Sequence, residues 1–240
     1  NITYRYALQH SRNVAAVKVA DEVGMTKVIN LAKEMGISTL TDQDYNLSTA
    51  LGGLTHGVTP LDMVQAYGVL ANGGIKVQPT AILKIVDRNG QVVEENSIQE
   101  KRVIDEKDAA IITNMLESVI NGGTGGNAAI GRPAAGKTGT TDDSKDAWFI
   151  GYTPDLVAAV WIGDDYGTET LHGITGGSTP AVMWGQFMAN ALANTPASDF
   201  PIPASAQSAI SEGYVNPAKA QPKKEDKKDE KADKKDDTGK

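Results

Sequence analysis

Two short motifs in this sequence carry side chains that could do chemistry. Residues 11–13 read Ser-Arg-Asn and place a hydroxyl and an amide just before a predicted helix. Residues 137–139 read Lys-Thr-Gly and place a cation, a hydroxyl and a residue without a side chain on a predicted strand. Serine acyl transfer needs a nucleophile, a group that moves its proton and donors for the developing oxyanion. The two motifs therefore favour a serine acyl-transfer site.

Each side chain suits one part of that chemistry. Ser11 can relay a proton, and the Asn13 amide can hold a substrate carbonyl or the lysine side chain. Lys137 supplies a cation near the reacting centre, and Gly139 lets an extended peptide lie against the strand backbone. Both motifs also have a structural interpretation, because Ser11 or Asn13 could cap a helix and Lys-Thr-Gly could be a strand that ends in a turn.

The lysine also falls in a pattern that nucleotide-binding proteins use. Residues 131–138 match the phosphate-loop pattern G-x-x-x-x-G-K-[ST]. Such a loop follows a buried strand and is followed at once by a helix whose N-terminus meets the phosphates. Here residues 121–127 consist mostly of Gly and Asn, and residues 139–144 are typical of a turn. We therefore rank nucleotide binding last among the candidate functions.

Composition argues against several other classes of function. The 240 residues carry 23 Lys+Arg against 30 Asp+Glu, a net charge of −7, which argues against a nucleic-acid partner. Without Cys the chain has no disulfides, no thiol catalysis and no Cys-ligated zinc. The three His are far apart and lack metal-ligand spacing, so we expect no metal and no cofactor.

The elements that must position the motifs are helices and an antiparallel sheet. Apolar spacing and capping residues predict helices over 14–23, 28–35 and 60–70, a fourth capped by Asp105, and a fifth that begins at Thr179-Pro180. Strands are predicted at residues 82–86, 91–94, 134–140, 148–152 and 156–163. The turn at residues 153–155 makes the last two strands antiparallel neighbours. Helices before and after such strands predict an α+β fold.

At this point the sequence resembles a known family. A Ser-x-Asn motif at Ser11 followed by Lys-Thr-Gly at Lys137 is shared by penicillin-binding proteins and serine β-lactamases. The stretches 59–74, 136–141 and 146–152 resemble the class A, bifunctional penicillin-binding proteins more closely. The resemblance implies a penicillin-binding protein/serine β-lactamase-like fold, in which an antiparallel sheet is flanked by helices. The chain thus resembles the C-terminal part of a class A transpeptidase domain.

The resemblance and the composition together predict three segments. Residues 1–195 form the C-terminal part of the transpeptidase domain, and residues 196–218 form a Pro/Ala/Ser-rich extension. Residues 219–240 hold nine Lys and seven acidic residues and are expected to be a disordered charged tail.

The resemblance also implies a reaction and its partners. A D,D-transpeptidase cross-links peptidoglycan stem peptides, delivered on a lipid-linked precursor, at the extracytoplasmic face of the bacterial cell membrane. A serine attacks the D-alanyl-D-alanine bond, forms an acyl-enzyme and passes the acyl group to an amine on a neighbouring strand. β-Lactams mimic that dipeptide and leave the serine blocked.

The same mapping assigns roles to seven residues of this chain. Three are catalytic, and four bind substrate, among which Thr140 takes the terminal carboxylate. The catalytic residues are Ser11, Asn13 and Lys137, and the substrate-binding residues are Thr138, Gly139, Thr140 and Thr141.

The sequence departs from the family at the nucleophile. In the family that serine belongs to a Ser-x-x-Lys motif N-terminal to Ser-x-Asn, and no Ser of this chain has a Lys three positions later. We expect the nucleophile, the first strands of the sheet, a glycosyltransferase domain and the membrane anchor to lie upstream of Asn1. The missing N-terminal part would then be a required partner, and the chain alone would be inactive.

Two other functions stay open at this point. One is a β-lactamase or D,D-carboxypeptidase that hydrolyses its acyl-enzyme. The class A β-lactamases use a Glu beyond Ser-x-Asn to activate water, and no Glu lies between residues 36 and 90. The other is a non-catalytic penicillin-recognising sensor or scaffold that has kept the fold.

Overall fold

The computed structural model describes residues 2–211, which form seven α-helices and seven β-strands. The helices are α1 (Tyr4–Gln9), α2 (Asn13–Val23), α3 (Met25–Met35), α4 (Pro60–Ala71), α5 (Glu106–Gly122), α6 (Thr179–Ala191) and α7 (Ala204–Ser211). The strands are β1 (Ile75–Val77), β2 (Lys84–Val86), β3 (Val92–Glu95), β4 (Glu100–Arg102), β5 (Ala135–Thr140), β6 (Asp146–Tyr152) and β7 (Val157–Gly163). Within these residues, no helix is both long and apolar enough to cross a membrane.

The central sheet is antiparallel and has the order β5-β6-β7, so β5 is an edge strand. Its register pairs Lys137 with Ile150 and Thr140 with Ala147. Strands β6 and β7 are joined by the turn predicted at residues 153–155, where the Thr153 backbone N–H donates to the Leu156 carbonyl (2.9 Å). The predicted meander is therefore confirmed, and its open edge carries the Lys-Thr-Gly motif.

Helices cover both faces of this sheet. On one face, Val119 of α5 packs with Ala135 of β5 and Tyr152 of β6. On the other face, Trp184 of α6 is fully buried against Phe149 of β6, and the two ring centroids are 5.2 Å apart. Three layers with the sheet in the middle give each apolar helix face a surface to bury. The predicted α+β fold is confirmed.

The predicted starts of α4, α5 and α6 agree with the structure, whereas α3 begins at Met25, three residues before the predicted start. The Thr59 hydroxyl caps α4 by accepting from the Asp62 N–H, and Pro60 takes the first helical position. The Asp105 carboxylate caps α5 by accepting from the Lys107 N–H. Helix α2, in contrast, has Arg12 at its N-cap and no side-chain cap. Capping of α2 therefore does not account for the Ser-Arg-Asn motif.

Some elements were not predicted, and each depends on contacts distant in sequence. Helix α1 has only six residues, of which Ala7 is buried and Leu8 packs against the core, so it is too short to show a repeating helical apolar pattern. Strand β1 pairs with β4, with Ile75 opposite Arg102 across the intervening hairpin β2–β3. Helix α7 lies within the extension assigned to residues 196–218 and buries two alanines. The charged tail assigned to residues 219–240 lies outside the described residues.

Candidate active site

The two motifs singled out in the sequence meet at the open edge of the sheet. Lys137 lies on β5, and its Nζ donates to the Ser11 Oγ over 2.8 Å, although the two residues are 126 positions apart. The same Nζ donates to the Thr138 carbonyl oxygen at 2.9 Å. The lysine head is therefore fixed by two acceptors, one of which is the predicted proton relay.

Ser11 reaches this position through an unusual backbone conformation. It has φ = +50°, one of two non-glycine residues with positive φ among those described. Side chains clash there, at a cost of roughly 1–3 kcal/mol. The conformation is held where α1 ends, because the Arg12 N–H donates to the Ala7 carbonyl at 2.8 Å. It turns the chain sharply between α1 and α2 and leaves the Ser11 side chain exposed beside the sheet edge.

Helix α1 is in turn anchored to α5. The Arg5 guanidinium donates to the carbonyl oxygen of Asn114 (2.8 Å) and to its Oδ1 (2.7 Å). The Thr124 N–H, just beyond α5, donates to the Gln9 carbonyl oxygen at 3.2 Å. Since α5 also packs along β5, these bonds fix the position of Ser11 relative to the lysine.

Asn13 is the first residue of α2 and is exposed. Within residues 2–211, its side-chain amide has no hydrogen-bond partner, and Lys137 bonds to Ser11 and Thr138 instead. Of the two roles given to this amide, contact with that lysine is not seen here. Holding a substrate carbonyl stays a prediction.

Burial changes the acidity of the lysine. Desolvation lowers the pKa of Lys137 to about 8, because the protein around it solvates an ammonium less well than water does. No carboxylate pairs with its Nζ in the described part of the chain. At neutral pH the group is mostly an ammonium that gives a hydrogen to Ser11, so the Ser11 hydroxyl keeps its own hydrogen to donate elsewhere.

Two threonine hydroxyls follow the lysine on β5. Thr138 Oγ1 lies 2.7 Å from Thr124 Oγ1, in the glycine-rich loop that follows α5. Thr140 is exposed, and its Oγ1 accepts from the Gly176 N–H at 3.0 Å. Both hydroxyls lie along the edge of the strand, where an added peptide strand would meet them.

Gly139 and Thr141 are placed differently. Gly139 sits opposite Trp148, and a Cβ on it would lie 3.2 Å from the Trp148 Cβ, so even a methyl group would be tight. The Thr141 hydroxyl accepts from the N–H groups of Lys145 (2.9 Å) and Asp146 (3.0 Å) and so closes the turn between β5 and β6. A role for Thr141 in binding substrate stays a prediction.

The phosphate-loop interpretation of residues 131–138 is wrong. Residues Ala135–Thr140 are a β-strand that pairs with β6 over its whole length, and a turn follows it instead of a helix. The backbone N–H groups of a phosphate loop must be free to surround a phosphate at a helix N-terminus. Here the lysine side chain projects from a sheet instead.

Sequence reasoning missed two neighbours of the site. Thr124 gives no signal of its own, because it lies in a run of glycines, although the place of that run before β5 suggested a loop near the site. Gly176 precedes the Thr179-Pro180 helix start, and only the folded chain brings it to Thr140.

Comparison with known proteins finds similar sequences over most of this chain. Residues 1–172 match the family model described as the penicillin binding protein transpeptidase domain. Penicillin-binding protein 1A of Aquifex aeolicus (strain VF5) is 40% identical over 204 residues, which cover 85% of this chain and 27% of that protein. Penicillin-binding protein 2D of Bacillus subtilis (strain 168) is 38% identical over 225 residues, which cover 90% of this chain and 31% of that protein.

Solved structures agree with the fold. Penicillin-binding protein 1A from Haemophilus influenzae matches with a TM-score of 0.76 at 26% identity, over 83% of this chain and 36% of that one. The PonA1 protein from Mycobacterium tuberculosis in complex with penicillin V matches with a TM-score of 0.72 at 31% identity, over 82% of this chain and 58% of that one. The chain spans about a quarter to a third of the length of the two relatives given above.

Proposed function

We propose that this chain, which belongs to the penicillin-binding protein transpeptidase family, forms one side of the acyl-transfer site of a D,D-transpeptidase. The observation that carries this proposal is the 2.8 Å hydrogen bond from the Lys137 ammonium to Ser11 at the open edge of β5. In the acylation step the oxygen of the nucleophilic serine bonds to the substrate carbonyl carbon, and its proton passes to a base outside these 240 residues. The C–N bond of the substrate breaks, and the leaving nitrogen needs a proton. Ser11 gives its hydroxyl hydrogen to that nitrogen and recovers one from the Lys137 ammonium.

The remaining residues of the edge bind the substrate in this proposal. The backbone of Gly139 receives the extended stem peptide, and Asn13 holds a carbonyl of it. The hydroxyls of Thr138 and Thr140 donate to the terminal carboxylate, and the nearby ammonium adds charge attraction. β-Lactams that carry a carboxylate take the same place and are predicted to leave a stable acyl-enzyme.

The nucleophile in this proposal is a serine outside the 240 residues. None of the serines here has a lysine three positions later. The chain also covers only about a quarter to a third of its relatives, so most of such a protein has no counterpart here. The larger protein would act on peptidoglycan stem peptides and a lipid-linked precursor at the outer face of the cell membrane. It would also carry a glycosyltransferase domain and a membrane anchor.

Acylation of the full-length protein by a fluorescent penicillin tests the role of the lysine. Lys137→Ala removes the proton source for Ser11 and is expected to lower the second-order rate constant of acylation by ~100-fold or more. Lys145→Ala is the matched control, because Lys145 lies in the turn after β5 and pairs with Asp143 at the surface. It is expected to leave the rate constant unchanged. A Lys137→Ala protein that is folded and labels like the wild type would remove the lysine from the mechanism.

A further inference from the structure

The segment just before α6 contacts the candidate site through a hydrogen bond from the Gly176 N–H to Thr140 Oγ1. We infer that the backbone N–H of Gly176 orients the Thr140 hydroxyl, so that its hydrogen is free for an anionic ligand at the edge of β5. Gly176 is then a positioning residue, which acts on the ligand through Thr140. This inference rests on the proposed function, because it assumes that Thr140 meets the carboxylate.

The hydrogen-bonding capacity of the Thr140 hydroxyl is only partly used. A threonine hydroxyl has one hydrogen to donate and two lone pairs that accept. The Gly176 N–H fills one lone pair of Thr140 Oγ1 at 3.0 Å. In the described part of the chain, no other hydrogen bond involves this hydroxyl, and Thr140 is exposed. The hydrogen cannot point towards Gly176, so it stays available on the solvent side.

Gly176 approaches the sheet too closely for a larger residue to fit. A Cβ on Gly176 would lie 2.5 Å from the Gly139 carbonyl oxygen and 2.8 Å from the Gly139 nitrogen, and it would also collide with the Trp148 carbonyl oxygen. All three atoms belong to the backbone of the β5–β6 pair and cannot turn away as a side chain can. Only glycine therefore brings its N–H within reach of Thr140 at this place.

Neighbouring residues hold the segment that contains Gly176 in place. The Asn127 Nδ2 donates to the Gly177 carbonyl oxygen at 2.8 Å. The Ser178 hydroxyl donates to the Thr175 carbonyl oxygen (2.8 Å) and accepts from the Thr175 N–H (2.9 Å). A Cβ on Gly177 would also collide with the Thr124 carbonyl oxygen, so this glycine packs against the loop that contacts Thr138. The N–H donor is thus positioned before any ligand arrives.

This arrangement predicts a preference between ligands. A donor that is already oriented interacts more strongly with a charged carboxylate than with a neutral ester, because hydrogen bonds to an ionised acceptor are about twice as strong. Loss of the orientation should therefore slow the reaction with a carboxylate ligand more than the reaction with its ester.

The test compares benzylpenicillin with its methyl ester as acylating agents for the full-length protein. In Gly176→Ala the added methyl group pushes the segment off the sheet, and we expect acylation by the acid to slow about tenfold. Acylation by the ester should change less than about twofold. Gly68→Ala is the matched glycine control, because it lies in α4 and its Cβ would meet only Val157 Cγ1, at 3.9 Å. It should leave both rates unchanged.

Combination with Thr140→Ala separates positioning from a general structural effect. If Gly176 acts through Thr140, adding Gly176→Ala to Thr140→Ala produces little further loss. Equal slowing of acid and ester, or full additivity of the two changes, would overturn the inference.

Asn127→Ala gives a second route, in case Gly176→Ala fails to fold. The Asn127 side chain is exposed, and its loss frees the segment without adding a methyl group at the sheet. In Asn127→Ala we expect the acylation rate with benzylpenicillin to fall, by less than in Gly176→Ala, and the rate with the methyl ester to stay unchanged. Rates that fall by the same factor for both ligands would contradict the inference.

A wild-type protein that neither ligand acylates would refute the proposed function itself. A wild type that is acylated, with a Gly176→Ala variant that behaves identically, would refute the inference alone.

Discussion

At the scale of single residues, the site depends on Lys137, which is half-buried and has no carboxylate partner among residues 2–211. Desolvation lowers the pKa of Lys137 to about 8, and Ser11 accepts one of its hydrogens. A salt bridge would have kept the charge at all physiological pH values, whereas desolvation alone makes proton transfer to Ser11 easier. Ser11 has a left-handed backbone conformation that the surrounding structure holds, and strained residues of this kind cluster at active sites.

The lowered pKa of Lys137 predicts a pH dependence with a definite sign. In the proposed mechanism the ammonium is the active form, and it loses its proton as the pH rises through about 8. The acylation rate constant for benzylpenicillin should therefore fall above pH 8, approaching tenfold per pH unit. In Lys137→Arg the guanidinium stays charged throughout, so its slower reaction should lack this decrease. A rate that rises through pH 8 in the wild type would identify the free amine as the active form.

At the scale of secondary-structure elements, the candidate site requires three segments to keep their positions relative to one another. Strand β5 presents Lys137, the corner between α1 and α2 presents Ser11, and the segment before α6 supports Thr140. The corner is the least supported of the three, because α1 has six residues and buries only Ala7. Its position depends on two hydrogen bonds from Arg5 to Asn114, on the bond from the Thr124 N–H to the Gln9 carbonyl oxygen, and on Leu8, which packs against the core.

Loosening α1 should therefore weaken acylation from a distance. Arg5→Met removes both bonds to Asn114 and keeps the apolar part of the side chain, so we expect Ser11 to be less well fixed beside Lys137. The acylation rate constant should fall about three- to tenfold. Although two bonds are lost, we expect a free-energy effect on the rate equal to the net contribution of about one hydrogen bond. Arg88→Met in the exposed hairpin is the control and should have no effect. Equal rates in all three proteins would show that the position of α1 does not depend on Arg5.

At the scale of the whole molecule, local signals in the sequence predicted most of the helices and strands of the layers, but not the contacts between those elements. The strands of the central sheet, the β2–β3 hairpin and the starts of α4 and α5 could be predicted, because turn residues, Pro60 and the Asp105 cap act within a few residues. The contact of Ser11 with Lys137 could not be derived from local signals, since it joins residues 126 positions apart. The family resemblance assigned both residues to the catalytic site, and the structure adds the hydrogen bond between them.

The contrast between local sequence signals and long-range contacts also explains what the sequence did not predict about Thr141 and Gly176. In the sequence, Thr141 continues the Lys-Thr-Gly motif. In the structure its hydroxyl accepts hydrogen bonds from two N–H groups of the turn that follows β5. In the sequence, Gly176 looks like an ordinary loop glycine. The role that we infer for it depends on its packing against the sheet, which brings its N–H to Thr140. Sequence patterns indicate which residue types are present, whereas the tertiary contacts decide which hydrogen bonds they make.

The most direct test of the central claim is to locate the serine that reacts. Full-length protein is labelled with a fluorescent penicillin, digested, and the labelled peptide is identified by mass spectrometry. We predict a single adduct, on a serine of a Ser-x-x-Lys motif outside these 240 residues, and a strong loss of that adduct in Lys137→Ala. An adduct on Ser11 or on any other serine of this chain, or no adduct on folded protein, would contradict the account.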